Sequence, residues 1–412
     1  MSQVASEHLG ESLGTDFFSV REQFTDEQWE HFITVRRFVD EEVVPVVGPY
    51  WERAEICWPL VRRLPELGIV GEDIKGYGCA EMSPMACGLV TMELHRGDGS
   101  LGVFLGVHAG LAMLSIAMCG SEEQKARWLP DMAQMNKLGA FALTEPEHGS
   151  DSVALETSAR PVKGDGEAGG DGYRVTGRKV WTSKALESER VLLLTRTTPI
   201  EECAKRTDGL TLFVAPLKDP AVTIRPIPKL GRNAVASCEV TYDGLYVDAR
   251  DRVGEEGRGF GYLLDGLNAE RVLVAAEALG TGRAALRRAV AYAKARVVFG
   301  RPIGQNQGIS FPLAEAHARL GAAELAIRQA SWRIDQGLSA GEQANLAKFL
   351  AAEAGFQAAD AALQTHGGFG YANEYHVERY WREARLMRIA PVPQEMVLNY
   401  LAEHVLGLPR SY

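Results

Sequence analysis

The chain lacks several patterns that would place it in a common functional class. Its 44 Lys and Arg against 54 Asp and Glu give a formal net charge of −10, without the basic excess typical of nucleic-acid binding. It contains no HExxH, GxSxG or P-loop motif, so metalloprotease, hydrolase and nucleoside triphosphatase assignments have little support. The six cysteines form no CxxC pair and no metal-like Cys/His spacing. We therefore expect neither a nucleic-acid partner nor a bound metal.

Targeting and membrane signals are also expected to be missing. The first residues, MSQVASEHLGESLGTDFF, show no charged segment followed by an apolar run, as a secretory signal would. The terminal LPRSY is no peroxisomal tripeptide. We expect no apolar stretch to reach the roughly 18 residues of a membrane span. Together with cysteines interpreted as reduced thiols, these patterns predict a cytoplasmic protein without membrane insertion.

Helical and strand-like patterns divide the chain into three regions, and together they predict an α+β protein. Residues 1–137 are predicted to form an N-terminal α-helical domain, which begins with a capping box at Thr25. Residues 138–250 are predicted to form a β domain from short runs such as GYRVTGRKVWTS, RVLLLTRT, LTLFVAPL, VTIRPIPKL and CEVTYDGLYV. Residues 251–412 return to helices, the first predicted to run from 263 to 299. GRGFGY at 257–262 does not follow a strand, so a Rossmann nucleotide site is not predicted.

A carboxylate lies on the apolar face of that first long helix. Glu270 follows Leu267 by three residues and Leu263 by seven, and it precedes Val274 by four, so the four share one helical face. A carboxylate that faces a core is costly unless it is paired or has a chemical role. Two interpretations follow: a structural ion pair with Arg271 or another buried cation, or a catalytic base.

Four strings, in order, carry a resemblance to a known family. They are FALTEPEHGSD (141–151), GRKVWTS (177–183), RVVFGRPIGQNQ (296–307) and QTHGGFGYANEYHVERYWREA (364–384). With the α–β–α order, they make the chain resemble the acyl-CoA dehydrogenase family of flavoproteins over nearly its whole length. IKGYGCA (74–80) looks closest to the glutaryl-CoA dehydrogenase branch. The resemblance implies an N-terminal helical domain, a middle β-barrel or sandwich and a C-terminal four-helix bundle.

The resemblance also implies an FAD site. Leu143 and Thr144 would lie at the isoalloxazine edge and Ser150 near the pyrophosphate, with Trp181 and Ser183 against the ring. A second set would reach the FAD of a neighbouring subunit, and it consists of Arg296, Phe299, Gln307, Gln364, Gly367 and Gly368. A site shared in this way implies a homodimer or a dimer of dimers, that is, a homotetramer.

The family reaction is α,β-dehydrogenation of an acyl thioester, in which a carboxylate takes the α-proton and flavin N5 takes the β-hydride. Electrons then pass to electron-transfer flavoprotein or another acceptor. Most relatives carry the base in a C-terminal Glu-Gly-Thr string, where this chain reads Pro391-Val392-Pro393. A minority, isovaleryl-CoA dehydrogenase among them, carry it on an earlier helix immediately before an Arg. Glu270 is therefore the predicted base, and Arg271 is predicted to lie near the substrate thioester.

Two further departures concern the thioester and the acyl chain. Pro391 has no N–H, so half of the family's oxyanion hole is missing unless Val392 N–H replaces it, the chemistry has changed, or the prolines shift the register of the loop by one residue. Glu395 is interpreted as a surface helix charge. Gly102 stands where the glutaryl branch has a carboxylate-binding Arg, and His95 is interpreted as an ordinary helix residue. The prediction is a neutral acyl substrate, branched chains included.

Three alternatives remain open beside an acyl-CoA dehydrogenase. The first is a family member acting on an acyl-carrier-protein thioester or with altered α-carbon chemistry. The second is an acyl-CoA oxidase, in which oxygen is the acceptor. The third is a non-catalytic subunit that shares a flavin site with a catalytic partner in a heteromeric dehydrogenase.

Overall fold

A computed structural model describes residues 24–164 and 170–410, and for residues 264–268 it describes the backbone alone. Six helices come first, at Asp26–Phe38 (α1), Val47–Glu52 (α2), Trp58–Glu66 (α3), Pro84–Gly97 (α4), Gly99–Cys119 (α5) and Glu122–Ala133 (α6). The predicted capping box at Thr25 is confirmed, and Ser121 begins α6 with another.

Helix α5 contradicts one expectation from the sequence. It is 21 residues long with a mean hydropathy of 1.9, so by length and composition alone it could cross a membrane. The expectation that no apolar stretch reaches about 18 residues is therefore wrong. Half of its most apolar stretch is buried inside the fold, where Leu101, Phe104, Ala109 and Met113 join the core of the N-terminal helices. A core helix of a globular domain passes the same length test.

The middle of the chain forms one sheet of eight strands. They are Gly139–Ala142 (β1), Ser158–Val162 (β2), Gly172–Ser183 (β3), Arg190–Arg196 (β4), Leu210–Pro216 (β5), Val222–Pro226 (β6), Ser237–Asp248 (β7) and Arg252–Val253 (β8). Seven follow the order β6-β7-β3-β2-β4-β5-β8, and β1 pairs with β4 in parallel. Each of the five strand-like runs in the sequence is confirmed as a strand.

The C-terminal helices are Gly259–Ala295 (α7), Gln307–Asp335 (α8), Gly341–His366 (α9), Val377–Leu386 (α10) and Gln394–Tyr400 (α11). Helix α7 ends at Ala295, so its predicted continuation to Phe299 is wrong. Val297–Val298 (β9) instead pairs with Arg301–Pro302 (β10). Phe299 and Gly300 have φ of 53° and 78° at the turn, and these positive values are incompatible with a continuing helix.

Gly280 lets α7 lie directly against α4. A Cβ at this position would lie 2.1 Å from the carbonyl oxygen of Met92, which is backbone and cannot rotate away. Gly280→Ala is therefore expected to destabilise the protein by about 1–3 kcal/mol, although alanine gains about 1 kcal/mol of helix propensity. The measurement is the midpoint of thermal unfolding of the FAD-loaded protein.

Gly308→Ala is the matched control. Gly308 lies at the start of α8, and an added Cβ there meets nothing within 4 Å. Its unfolding midpoint is expected to stay level or rise. An unfolding midpoint for Gly280→Ala at or above the wild-type value would show that the two helices do not cross this closely.

Candidate active site

An exposed tryptophan marks the first part of the site. The register between β3 and β7 slips between Lys179 and Thr182, so Val180 and Trp181 have no partner across this bulge. Trp181 has φ of 61°, and 56% of its surface is exposed. A bulge re-aims side chains in this way, and it turns the indole away from the core. Ser183 follows at the half-buried end of the strand.

The loop after β1 is tied to this bulge. Val180 N donates to the carbonyl oxygen of Thr144 at 2.9 Å, and Lys179 Nζ donates to that of Leu143 at 2.9 Å. The predicted ring-edge residues Leu143 and Thr144 are therefore brought next to Trp181. Ser150 lies exposed further along the same loop.

Lys179 and Glu145 hold this arrangement, and the sequence analysis missed both. Lys179 Nζ lies 2.9 Å from Glu145 Oε1, and the same carboxylate accepts the N–H groups of Glu156 and Thr157 at 2.7 and 2.9 Å. Burial lowers the pKa of Lys179 to about 8. Burial opposes ionisation of Glu145, but Lys179 and the two N–H groups outweigh it and lower the pKa of that carboxyl. The alternation of side chains along β3 could have revealed Lys179, because it places Lys179 on the same face of the strand as the buried Tyr173 and Val175.

The second predicted flavin set gathers where α7 ends, α8 begins and α9 ends. The Arg296 guanidinium lies 5.9 Å from the centre of the Phe369 ring, which joins the end of α7 to the glycine-rich loop. Gly367 has φ of 58°, and a Cβ at Gly367 or Gly368 would meet nothing within 4 Å, so this backbone is open to a ligand. Phe299, at the hairpin tip, is 99% exposed. Gln307 and Gln364 are also exposed.

The candidate base lies far from this second set. Glu270 lies on α7 and Arg296 directly follows its last residue, so the offset of 26 residues between them corresponds to a separation of about 40 Å at 1.5 Å per residue. Within one chain the structure therefore groups Leu143, Thr144, Trp181 and Ser183, but it does not bring the Arg296 set to Glu270.

Glu270 is half-buried on α7, between two of the hydrophobic residues that were predicted to share its helical face. Leu263 is half-buried and Val274 is buried, whereas the side chain of Leu267 lies outside the described residues. Burial raises the pKa of Glu270 to about 7, against the lowering effect of Arg271 and with a smaller contribution from Glu277. A carboxyl of this kind changes protonation near neutral pH, as a general base for an acidic C–H must.

The loop between α10 and α11 is tied to α9. Gln394 Nε2 donates to Glu353 Oε1 of α9 at 2.6 Å, and this bond fixes the start of α11 directly after the proline pair. Val392 is half-buried, and its N–H has no hydrogen-bond partner among the described residues. Pro391 is exposed, as is Glu395, which was interpreted as a surface charge.

A chain of buried polar side chains lies beside Gly102. His95 is 1% exposed, and its Nε2 lies 3.3 Å from Glu277 Oε2 of α7. A Cβ at Gly102 would lie 2.2 Å from the His95 ring, so the imidazole occupies the space that a side chain at 102 would need. Glu277 also lies 3.0 Å from Arg232 Nη2. Glu277 could have been recognised in the sequence by its spacing of seven residues from Glu270, which places both on one face of the helix. No comparable pattern pointed to His95.

A sheet between two helical regions of the chain, an outward-turned indole and an open glycine loop are the features expected of the flavin-dependent dehydrogenases that the sequence resembles. Three family models cover the chain in order. They describe the N-terminal, middle and C-terminal domains of acyl-CoA dehydrogenase, and they match residues 25–136, 140–245 and 257–406. The chain belongs to the acyl-CoA dehydrogenase family.

Individual relatives agree with this assignment. The chain is 34% identical to an acyl-CoA dehydrogenase of Bacillus subtilis over 375 residues, which is 90% of this chain and 96% of that protein. It is 37% identical to acyl-CoA dehydrogenase FadE12 of Mycobacterium tuberculosis over 363 residues, covering 88% and 90%. Its structure matches glutaryl-CoA dehydrogenase of Mycobacterium smegmatis with a TM-score of 0.88 at 31% identity, over 96% and 99% of the two chains.

The protein is thus an FAD-dependent oxidoreductase acting on the CH–CH group of acyl thioesters. The described residues fit the cofactor, since Trp181 offers an exposed ring face and the loop at Gly367 and Gly368 offers backbone that no side chain covers. Tetramers are typical of the family.

Proposed function

We propose that the protein dehydrogenates a neutral acyl-CoA thioester, branched chains included, with Glu270 as the base for the α-proton. The observation that carries the proposal is a half-buried carboxyl on α7 whose pKa burial raises to about 7. Bound FAD supplies the acceptor for the β-hydride. A desolvated carboxylate is a stronger base than one in water, which suits the weak acidity of a thioester α-carbon.

Support for the position of the thioester comes from the residues around Glu270. Arg271 is adjacent in sequence, and burial lowers its pKa against the effect of Glu270, so the guanidinium lies in the same low-dielectric environment. We infer that Val392 N–H provides the second oxyanion donor that Pro391 cannot provide. One such donor contributes roughly 3 kcal/mol to transition-state stability.

Support for a neutral acyl chain comes from Gly102 and His95. The ring of His95 fills the space beside Gly102, so no cationic side chain can extend from that position. His95 itself faces Glu277, which adds negative rather than positive charge. Glu277 is also paired with Arg232, so a distal carboxylate on the substrate would find no unpaired cation among these residues and would be disfavoured.

We further propose a homodimer or a dimer of dimers. An FAD whose ring lies beside the proposed base Glu270 cannot also reach Arg296 of the same chain, because about 40 Å separates the two residues. The fully exposed Phe299 and the open glycine loop would then meet the cofactor of a second copy. We place the protein in the cytoplasm, in keeping with six free cysteines, and propose electron-transfer flavoprotein as the acceptor.

The test is anaerobic bleaching of the flavin absorbance by a panel of acyl-CoA thioesters that differ in length, branching and terminal charge. Bleaching by neutral chains, with little by dicarboxylic ones, is the expected result. Reoxidation of the bleached enzyme by air as fast as by electron-transfer flavoprotein would indicate an oxidase. A full flavin complement without bleaching by any CoA ester would overturn the proposal, and the same acyl groups on a carrier protein would then be tried.

A further inference from the structure

One face of α5 carries no side chains at three successive turns. Gly102, Gly106 and Gly110 are spaced four residues apart, so they lie above one another on the helix surface. We call this surface the glycine face. Glycine inside a helix costs about 1 kcal/mol relative to alanine. Three glycines on one face therefore need an explanation. Close packing against a neighbouring side chain explains Gly102 and Gly110 but not Gly106.

The surroundings of the three glycines differ. A Cβ at Gly102 would meet His95 at 2.2 Å, and one at Gly110 would meet Glu72 Oε1 at 2.8 Å, whereas one at Gly106 would meet nothing within 4 Å. The glycine face therefore has a histidine at one end, a carboxyl at the other and open space between them. From Gly102 to Gly110 it is about 12 Å long.

The open space is bordered by apolar side chains that the fold leaves partly uncovered. Val103, Val107 and Leu111 flank the glycine face, and each is only half-buried although α5 is the most apolar long helix among the described residues. An uncovered apolar surface of this kind next to a polar end is typical of a ligand cavity.

Glu72 is the independent sign of a ligand. It is 7% exposed, and its carboxyl makes no hydrogen bond or ion pair with any described residue. Burial, with a smaller effect of Asp73, raises its pKa to about 8, so at neutral pH it carries a proton and can both donate and accept. A largely buried carboxyl without a protein partner is unfavourable, and a ligand that provides a partner removes that cost.

The other end of the glycine face connects to the proposed base. His95, which packs on Gly102, lies against Glu277, and Glu277 follows Glu270 by two helical turns on the same face of α7. The carboxyl of Glu270 is thus about 10 Å along α7 from the point where the glycine face begins. A chain that leaves the reacting carbons beside Glu270 can continue along the glycine face toward Glu72.

We propose that the glycine face is a wall of the acyl cavity and that Glu72 binds a hydroxyl at the distal end of the acyl chain. This inference rests on the proposed function and names its substrate class: acyl thioesters with a bulky chain that ends in a hydrogen-bond donor. Because Gly106 has no side chain, the cavity has room for a bulky acyl chain at this point. Glu72 selects its terminal group, and Asp73 nearby disfavours a terminal carboxylate.

The experiment uses the FAD-loaded enzyme and a matched set of CoA thioesters of equal chain length that end in methyl, hydroxyl or carboxylate. Flavin reduction is followed anaerobically, and binding of the corresponding non-reducible thioethers is measured by calorimetry. In the wild type, kcat/KM and affinity are expected to be at least tenfold higher for hydroxyl ends than for methyl. Glu72→Leu is expected to remove that preference through KM, and Gly106→Leu to weaken binding of long chains but not of the shortest ones.

Glu41→Gln, an exposed acid of the same domain, is the control and should behave as the wild type. Retained flavin content and spectrum in each variant show that the fold is intact. If the thioesters bleach the flavin but Glu72→Leu does not change the preference among terminal groups, the inference is wrong and the proposed function stands. If no thioester bleaches or binds, the proposed function fails and the inference fails with it.

Discussion

Replacing Glu270 by Gln is expected to slow flavin reduction by acyl thioesters about 10²- to 10⁴-fold, the usual contribution of a positioned general base. The amide keeps the shape and much of the polarity of the carboxylate but cannot accept the α-proton. FAD content and binding of a non-reducible thioether should change little, because the predicted flavin contacts lie on the β3 bulge and at the far end of α7. Stopped-flow bleaching under anaerobic conditions measures the effect.

The pH dependence of flavin reduction provides a second test of Glu270 as the base. The pKa of Glu270 is raised to about 7, and only the ionised form can take a proton. The wild-type rate of flavin reduction should therefore rise with pH through about 7 and level off above it, and this step should be missing in Glu270→Gln. Glu395→Gln removes an exposed acid at the start of α11 and should keep the wild-type profile. Bleaching that survives in Glu270→Gln at an undiminished rate would refute Glu270 as the base.

Replacing Glu383 by Ala is expected to cause the largest loss of stability among these variants, about 3–5 kcal/mol. Glu383 lies on α10, where its carboxylate accepts Trp51 Nε1 and the backbone N–H of Arg232, each at 2.7 Å. Its other oxygen lies 2.9 Å from Arg232 Nε. These three residues are all buried, and they come from the N-terminal helices, the middle domain and the C-terminal helices. Truncation would leave the indole N–H of Trp51 and the backbone N–H of Arg232 without their acceptor, and the buried guanidinium would keep Glu277 as its one remaining carboxylate partner among the described residues.

The measurement is thermal unfolding of the FAD-loaded protein together with its rate of proteolysis, because a chain of several domains need not unfold in two states. Glu315→Ala provides the matched control. Glu315 pairs with Arg319 at 2.6 Å on the exposed side of α8, and its loss should cost less than about 0.5 kcal/mol. Equal unfolding temperatures for Glu383→Ala and Glu315→Ala would show that the Glu383 cluster does not join the three regions.

Glu383 also illustrates what the local sequence does not reveal. Its partners Trp51 and Arg232 are 332 and 151 residues away, and nothing in the helix pattern around it distinguishes a buried network from a surface charge. The same holds for His95, which was interpreted as an ordinary helix residue. Only the crossing of α4 and α7 brings it to Glu277. Long-range pairs of this kind depend on how the elements pack, not on their periodicity.

Local signals succeeded where the determinants are local. The capping boxes at Thr25 and Ser121 each depend on two side chains three residues apart, and both sets of capping hydrogen bonds form in the structure. Strand β3 coincides with the run from Gly172 to Ser183 because alternation and the flanking glycine are local features. The end of α7 was misjudged, since the apolar VVF continues a helical pattern and only the positive φ at Phe299 and Gly300 turns the chain.

The sequence by itself determined the helix–sheet–helix order, the flavin strings and the position of Glu270 on an apolar helical face, because each depends on residues that are close along the chain. The tertiary structure alone decided that α5 lies in a domain core, that Lys179 and Glu145 hold the loop beside Trp181, and that His95 takes the space beside Gly102. It also placed Glu72 over Gly110, 38 residues along the chain. Burial and charge pairing arise between elements that are distant in sequence, so the chemistry that depends on them emerges only when those elements pack.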